Sequence, residues 1–215
     1  MAQAALVGNR MGKAGAMRPV LTQKVAALLW AAAILGCIGF GGWQLGQGLY
    51  IKAKAEVAQI LLERAWEKTL ADGKPHKAWP WADTWPVAKL EIPSQMKSEI
   101  VLAGGTGEAL AFGPGHLFGS PDPGKPGTSV IAGHRDTHFA FLRHLKNDDT
   151  VIVTTRDRKQ HLFRVRGSRI VEHDNSQIDP HAGFGIALVT CFPFDAREQG
   201  PLRYVVFAEA VADAS

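Results

Sequence analysis

Residues 150–173, TVIVTTRDRKQHLFRVRGSRIVEH, carry a clear β-strand signal. β-Branched and aromatic residues are concentrated in short runs, and apolar and polar side chains alternate most clearly within 160–166. Asp157 and Gly167 lie between the runs, where turn-forming residues are expected. The stretch therefore predicts three strands, at 150–156, 160–166 and 168–173.

The same pattern continues on both sides of this stretch, from Pro86 onward. Only one short helix is indicated, at 138–145 (HFAFLRHL). Further strands are predicted at 87–92, 99–103, 128–133, 186–191 and 202–210. Eight short strands with few helices predict a mainly β fold, an eight-stranded β-barrel that is closed or nearly closed and so hides its strand edges.

Charge is distributed unevenly along the chain. Of the 24 Lys and Arg residues, four lie within residues 1–24, which contain no acidic residue; they are Arg10, Lys13, Arg18 and Lys24. The other 20 basic residues are matched by the 20 acidic ones. A formally neutral domain lacks the positive surface of a phosphate-binding protein, so we expect no nucleic-acid partner.

An uncharged segment follows the basic residues, from Val25 to Ile51. A helix that crosses a bilayer needs about 20 mostly apolar residues, whereas the apolar core of a cleaved signal peptide has roughly 7–15. We therefore predict a transmembrane anchor at 25–45, in preference to a signal peptide or a buried helix of a soluble protein. The positive-inside rule makes 1–24 a cytoplasmic basic tail and places the rest of the chain outside.

Residues 46–85 are predicted to connect the anchor to the barrel domain, which we assign to 86–215. Within the connector, residues 49–71 have an amphipathic helical pattern that includes Val57, Ile60, Leu61 and Ala65. The segment 75–86 (PHKAWPWADTWP) contains three tryptophans, which we expect to hold it against the domain.

Cofactor signatures are weak. The segment 119–125 (GSPDPGK) begins like a phosphate-binding loop, but Pro126 occupies the required Ser or Thr position. His134, Asp136, His138 and His144 lie close together in the sequence, and Cys191 could join them as a metal ligand. However, the group has no HExxH spacing and no second cysteine. We therefore predict neither a metal nor another cofactor.

Three separate segments end or begin strands with chemically useful residues. They are VIAGHR at 130–135, LVTC at 188–191 and GPLRYVV at 200–206. Strand ends lie at the rim of a barrel, where neighbouring strands can bring together groups that are distant in sequence. Cys191 is the only cysteine outside the apolar N-terminal segment, which contains Cys37.

Together these residues suit nucleophilic catalysis. A thiolate of Cys191 could attack a carbonyl, His134 could move the proton, and Arg203 could stabilise the oxyanion. Each alone has a plainer interpretation, as a core thiol, a capped histidine or a surface ion pair.

The segments resemble the sortase family of cysteine transpeptidases. LVTC matches the family's Leu-x-Thr-Cys motif, the arginine 12 residues after Cys191 matches its essential arginine, and GHRDTHFAFL resembles its histidine segment. The resemblance covers residues 86–210. TCFPFDA and GPLRYVV are most similar to the Gram-negative, proteobacterial class of sortases.

The resemblance implies a sortase-type barrel and a specific reaction. Cys191 would attack the Thr–Gly bond of an LPxTG-like C-terminal sorting signal to form a thioacyl enzyme, which an amine acceptor of unknown identity would resolve. His134 would protonate the leaving amine and deprotonate the incoming one. Arg203 would hold the substrate or the oxyanion, and Arg135 and Asp136 would have orienting or structural roles.

The resemblance also implies a substrate groove and a location. The loop at 174–185, before the cysteine strand, helps to form the groove in this family. The expected substrate-binding residues are Thr190, which would line the oxyanion hole, with Asp174, Ile178 and Phe192. The expected location is the bacterial cytoplasmic (inner) membrane, with a single pass and a periplasmic catalytic domain.

Two other functions are compatible with the residues. A cysteine protease would use the same groups but pass the acyl group to water. A membrane-tethered binding domain would keep Cys191 as a buried core thiol. An amine-exchange assay on a labelled peptide distinguishes a transpeptidase from a protease. Thiol alkylation distinguishes a catalytic cysteine from a buried core thiol, which should resist the reagent.

Overall fold

A computed structural model describes residues 20–175, 178–196, 198 and 200–211, with side chains from residue 24 onward. The predicted cytoplasmic tail, 1–24, lies almost entirely outside the described residues. The chain divides into two units, Met1–Lys52 and Ala53–Ser215. A single helix, α1 (Val20–Asp72), supplies the described part of the first unit and the beginning of the second.

The first unit is the apolar part of α1. An 18-residue window in this helix has a mean hydropathy of 2.0, and none of that window is buried inside the protein. By length and composition α1 can cross a membrane, so it is compatible with the predicted anchor.

The second unit begins with the last turns of α1, which pack on the barrel through one face. The buried face is formed by Ala58, Leu62, Ala65, Trp66 and Thr69, and Leu62 and Trp66 form a cluster with Ile100 and Leu102. Two residues of the predicted apolar face, Val57 and Ile60, are instead 54% and 52% exposed. The buried face therefore shares Ala65 with the predicted one but is rotated from it, so that Leu62 and Trp66 supply its large side chains.

Helix α1 ends at Asp72, and the next residue, Gly73, has φ +71° and donates its N–H to the carbonyl of Thr69 at 2.8 Å. The carboxylate of Asp72 accepts hydrogen bonds from the backbone of Lys74 and from the ring of His76, and these lower the pKa of Asp72. The tryptophan-rich segment follows. Trp79 contacts the ring of Phe112 with centroids 4.8 Å apart, whereas Trp81 is 79% exposed.

Eight strands close into a barrel in the order β1-β2-β3-β4-β7-β8-β6-β5, which confirms the predicted fold class. The pairs β2–β3 and β4–β7 are parallel, and all the others are antiparallel. The strands are β1 (Pro86–Ile92), β2 (Lys97–Ala103), β3 (Gly115–His116), β4 (Gly127–Ala132), β5 (Thr150–Thr155), β6 (Gln160–Glu172), β7 (Phe184–Cys191) and β8 (Leu202–Ala210).

Most strand boundaries lie within two residues of the prediction, and two strands differ from it in kind. The predicted strands at 160–166 and 168–173 form one strand, β6, because Gly167 takes φ +154° at an irregularity in the β6–β8 pairing and does not end the strand. Strand β3 is only Gly115–His116, too short for any periodic pattern. The predicted helix at 138–145 is a 3₁₀ helix, Ala140–His144, and a short helix α2 covers Gly107–Leu110.

Apolar residues line both faces of the barrel wall near β7. The barrel interior contains Ile186 and Leu188, whereas Ala187 belongs to a second cluster on the opposite face. We call this second cluster the outer-face cluster. Its buried members are Val130, Ala187 and Val205, and packed against them are Leu117, Val171, Ile178, Val189 and Phe207.

Candidate active site

Cys191 and Arg203 lie opposite each other on neighbouring strands. Cys191 is the last residue of β7, and its partner in the antiparallel β7–β8 ladder is Arg203, the second residue of β8. Directly paired residues in a sheet present their side chains on the same face, with Cβ atoms about 4.5–5.5 Å apart. Both residues are half-buried, and Cys191 is a free thiol.

His134 reaches the same position from the other side of Cys191. The parallel pairing of β4 with β7 ends at Ala132 opposite Val189, and the N–H of Gly133 donates to the carbonyl of Val189 at 3.0 Å. Extending this register by two residues beyond the end of β4 predicts that His134 lies opposite Cys191. With Arg203, the two residues form the row that this register predicts at the ends of β4, β7 and β8, and we call it the catalytic row.

This row faces the outer-face cluster. Side chains along a strand alternate between faces, so residues separated by an even number of positions share a face. Within their strands, Cys191 is an even number of positions from the buried cluster residue Ala187, and Arg203 from Val205. Cys191 and Arg203 therefore border an apolar surface on the outside of the barrel.

Arg203 is held by the backbone of its own loop. Its Nη1 donates to the carbonyls of Gly200, at 2.8 Å, and Leu202, at 2.9 Å. A guanidinium has five N–H donors, so these two bonds leave the donors on Nε and Nη2 for a further acceptor. The group remains charged at any working pH.

Thr190 has a different position from the one expected for a residue of the oxyanion hole. It is 2% exposed, and its hydroxyl donates to the carbonyl of Gly133 at 2.7 Å. Because it is adjacent to Cys191 in a strand, its side chain points to the opposite, inner face. Its observed contact joins β7 to the residue that precedes His134.

The other predicted groove residues are spread over two loops. Ile178 packs against the outer-face cluster, and Asp174 is exposed in the turn after β6. Phe192 stacks on Tyr204, with ring centroids 6.3 Å apart and an interplanar angle of 22°. Of these three, Ile178 is the residue that the structure brings to the same surface as the catalytic row.

The residues after His134 have distinct contacts. Arg135 is 9% exposed and its Nη2 donates to the carbonyls of Ala196 and Glu198, both in the loop after Cys191. His138 pairs with Glu99 of β2 at 2.8 Å, which accounts for its place in the structure. Among the residues that the structure describes, no group of three or more His, Cys, Asp or Glu side chains is arranged to hold a metal ion.

A cavity of about 400 Å³ lies elsewhere. Its lining includes Thr155 and His161, which lie at the end of β5 and the start of β6. The ring of His161 is 6.5 Å from that of Phe184, the first residue of β7, whereas Cys191 is the last. The cavity is thus at the end of the barrel opposite the catalytic row.

Comparison with known proteins identifies the family. A family model described as "Sortase domain" matches residues 90–211. The chain is 28% identical to sortase D of Bacillus subtilis (strain 168) over 207 residues, which cover 88% of this chain and 99% of the relative. The chain therefore belongs to the sortase family, whose members are cysteine transpeptidases.

Solved structures agree with this assignment. Sortase A from Corynebacterium diphtheriae matches with a TM-score of 0.55 and 27% identity, over 61% of this chain and 63% of that one. A Clostridium perfringens sortase D5 transpeptidase matches with a TM-score of 0.58 over 73% of this chain and 99% of that one. At 20% identity, the second likeness supports the fold alone.

Proposed function

We propose that this chain is a membrane-anchored cysteine transpeptidase. It cleaves an LPxTG-like C-terminal sorting signal through a thioacyl-enzyme intermediate and transfers the acyl group to an amine acceptor. The observation that carries the proposal is the direct pairing of Cys191 with Arg203 in the β7–β8 ladder, beside the β4–β7 pairing that leads to His134. These are the three residue types that acyl transfer through a thiolate requires.

The reaction consists of two acyl transfers. The sulfur of Cys191 attacks the carbonyl carbon of the signal's threonine, and the C–N bond to glycine breaks when His134 protonates the leaving amine. The product is a thioester on Cys191. An incoming amine then attacks the thioester, His134 accepts its proton, and the C–S bond breaks to regenerate the cysteine. The amide that is lost in the first step is replaced in the second, so no energy source is needed.

Arg203 stabilises the negative charge that develops on the carbonyl oxygen. Two backbone carbonyls already hold its Nη1, so the guanidinium is fixed before the substrate arrives. Nε and Nη2 are the donors that remain for the substrate.

The apolar part of the sorting signal binds along the outer-face cluster. This surface borders the catalytic row, and the loop between β6 and β7 adds Ile178 to it. Asp174, in the same loop, and Phe192, directly after the nucleophile, complete the proposed groove. For Thr190 we propose support of Gly133 and, through it, of His134.

The proposed location rests on α1 and the charges before it. The apolar helix supplies a single-pass anchor at 25–45, and the four basic residues within 1–24 place that tail in the cytoplasm. The catalytic domain is then outside the cytoplasmic membrane. TCFPFDA and GPLRYVV support the Gram-negative class, in which this compartment is the periplasm.

Mass spectrometry tests the proposal directly. The full-length chain in detergent is mixed with an LPxTG-containing peptide, with and without a glycine-based amine acceptor, and Cys191→Ala is the control. We expect a thioacyl adduct on Cys191 and an exchanged amide product when the amine is present. Hydrolysis without exchange would indicate a protease, and the absence of both adduct and cleavage over a panel of LPxTG-like peptides would contradict the proposal.

A further inference from the structure

The loop between β7 and β8, residues 192–201, connects the nucleophile to Arg203. From Ala196 to Leu202, the first residue of β8, alternate backbone carbonyls accept hydrogen bonds from two guanidinium groups. Arg135 donates to the carbonyls of Ala196 and Glu198, and Arg203 donates to those of Gly200 and Leu202. The two arginines therefore hold consecutive parts of one loop.

Arg135 connects this loop to the histidine segment. It follows His134 directly, and its bonds to Ala196 and Glu198 span 61 and 63 residues of sequence. The hydrogen bond between Thr190 and Gly133 joins the same two segments through the barrel wall. Arg135 supplies a second connection, through the loop.

The burial of Arg135 is costly for the protein. The residue is 9% exposed, and its Nη1 is buried without a hydrogen-bond partner among the described residues. A buried charged group with an unsatisfied donor destabilises the folded state, and apolar residues of similar volume often stabilise such positions better. Stability alone therefore does not account for an arginine here.

We infer that Arg135 is a positioning residue for the proposed reaction. Its guanidinium fixes the β7–β8 loop against the histidine segment. The carbonyls of Gly200, at the end of this loop, and of Leu202, the first residue of β8, in turn orient the guanidinium of Arg203 beside Cys191. The inference rests on the proposed function, because Arg203 matters only if a carbonyl reacts at Cys191. The planar guanidinium suits this role, since its N–H donors have a fixed geometry that an ammonium lacks.

A third arginine, Arg143, touches the same loop but only at the surface. Arg143 lies 3.1 Å from the carboxylate of Asp195 and 4.7 Å from the ring centroid of Phe194. Asp195 is 89% exposed, so solvent screens this pair, and exposed pairs contribute little to structure. The carbonyls of Ala196 and Glu198 are held by Arg135 and not by Arg143.

The first experiment compares Arg135→Met and Arg135→Lys with a matched control in the full-length chain in detergent. Arg164→Met is the control, because Arg164 also donates to a backbone carbonyl, that of Asp148 at 3.0 Å, but is exposed on β6. For Arg135→Met we expect kcat per folded molecule to fall at least about tenfold while KM changes less than about threefold. Arg135→Lys should recover part of the loss, and Arg164→Met should match the wild type.

The second experiment combines Arg135→Met with Arg203→Lys. If Arg135 acts through Arg203, its substitution should cost less than about threefold once Arg203 is replaced, because coupled residues are non-additive. Losses that multiply in the double variant would overturn the inference, as would a loss in Arg135→Met that is fully explained by a smaller folded fraction.

Hydrogen exchange of the backbone amides gives a readout that does not require turnover. Arg135→Met should speed exchange within 192–202 and leave the β5–β6 turn, 156–159, unchanged. Unchanged exchange in 192–202 would overturn the inference whether or not the peptide is a substrate. If the wild type does not form an adduct, the proposed function fails separately, and faster loop exchange would still establish the contact made by Arg135.

Discussion

The hydroxyl of Thr190 donates to the carbonyl oxygen of Gly133 at 2.7 Å, inside the barrel wall. This bond joins the residue before the nucleophile to the residue before His134. Because Thr190 is 2% exposed, water does not replace the bond easily when the hydroxyl is removed. The spacing between β7 and the end of β4 therefore depends on a side chain on the inner face of the barrel wall.

Thr190→Val should weaken both the fold and the activity. Valine has nearly the same shape, but it leaves the carbonyl of Gly133 without this donor, and such a loss costs about 1–3 kcal/mol. Urea unfolding should show this decrease, and kcat/KM per folded molecule should also fall. Thr190→Ser retains the hydroxyl and is the control. Equal stability and activity of the valine and serine variants would contradict this role.

Gly133 itself should not tolerate a side chain. A Cβ at this position would lie 2.8 Å from two atoms of the Phe139 ring, and Phe139 is fully buried. The ring has no free space to move into, so the backbone next to His134 must shift. We expect Gly133→Ala to lower the melting temperature by several degrees and kcat/KM by at least about tenfold, since small displacements of catalytic groups are costly.

Gly119→Ala is the matched control for that substitution. A Cβ at Gly119 meets nothing within 4 Å, and its φ is not in the left-handed region. The variant should behave as the wild type in thermal unfolding and peptide turnover. If Gly133→Ala is also indistinguishable from the wild type, the tight contact with Phe139 does not constrain His134.

The barrel could be predicted because most of its strands are short runs rich in β-branched and aromatic residues. The alternation of β6 around Phe163 and Val165, both buried, is visible in the sequence. Gly167 misled the prediction, because glycine ends many strands and here only makes the pairing irregular. Strand β3 is fixed by its neighbours β2 and β4, and no local pattern of two residues could reveal it.

The residue types of the proposed catalytic row could be predicted from the sequence, but the contacts around these residues could not. A histidine, a cysteine and an arginine at strand ends are readable in the sequence, but their alignment depends on the register of β4, β7 and β8. An orienting or structural role was expected for Arg135, but its partners were hidden for the same reason. Its partners Ala196 and Glu198 accept through backbone carbonyls, which every residue has, so their identity carries no signal.

The anchor prediction concerns the part of the chain outside the barrel. Fusions of a reporter enzyme to the C-terminus should be active only in the compartment outside the cytoplasmic membrane. Replacing the four basic residues before the anchor with glutamine should reduce the fraction of chains whose C-terminus lies outside, because we expect their charge to retain the tail in the cytoplasm. These residues are Arg10, Lys13, Arg18 and Lys24. A C-terminus that remains in the cytoplasm would contradict the proposed topology.

Substitution of the nucleophile should remove activity without unfolding the protein. Cys191 is a half-buried free thiol at a strand end, so alanine removes little packing. We expect Cys191→Ala and Cys191→Ser to lose transpeptidation, because a serine hydroxyl is a much weaker nucleophile without a strong base. The measurement is peptide exchange, with circular dichroism as the control for folding. Full activity of Cys191→Ala would exclude thioacyl chemistry at this residue.

Arg203→Lys distinguishes a catalytic guanidinium from a surface charge. Lysine keeps the positive charge, so if Arg203 only balanced charge the loss should correspond to an exposed pair, about 0.2–1 kcal/mol. If the guanidinium stabilises the oxyanion, lysine cannot reproduce its planar donors, and kcat/KM should fall roughly 100- to 1,000-fold. Arg164→Lys is the control, since Arg164 is exposed and donates to a single backbone carbonyl. A substitution of Arg135 is not a suitable control, because we infer that this residue holds the loop that positions Arg203. The measurement is kcat/KM on a sorting peptide, corrected for the folded fraction. A decrease of only about twofold in Arg203→Lys, far below the tenfold that corresponds to about 1.4 kcal/mol, would assign Arg203 to structure and leave the row without its oxyanion group.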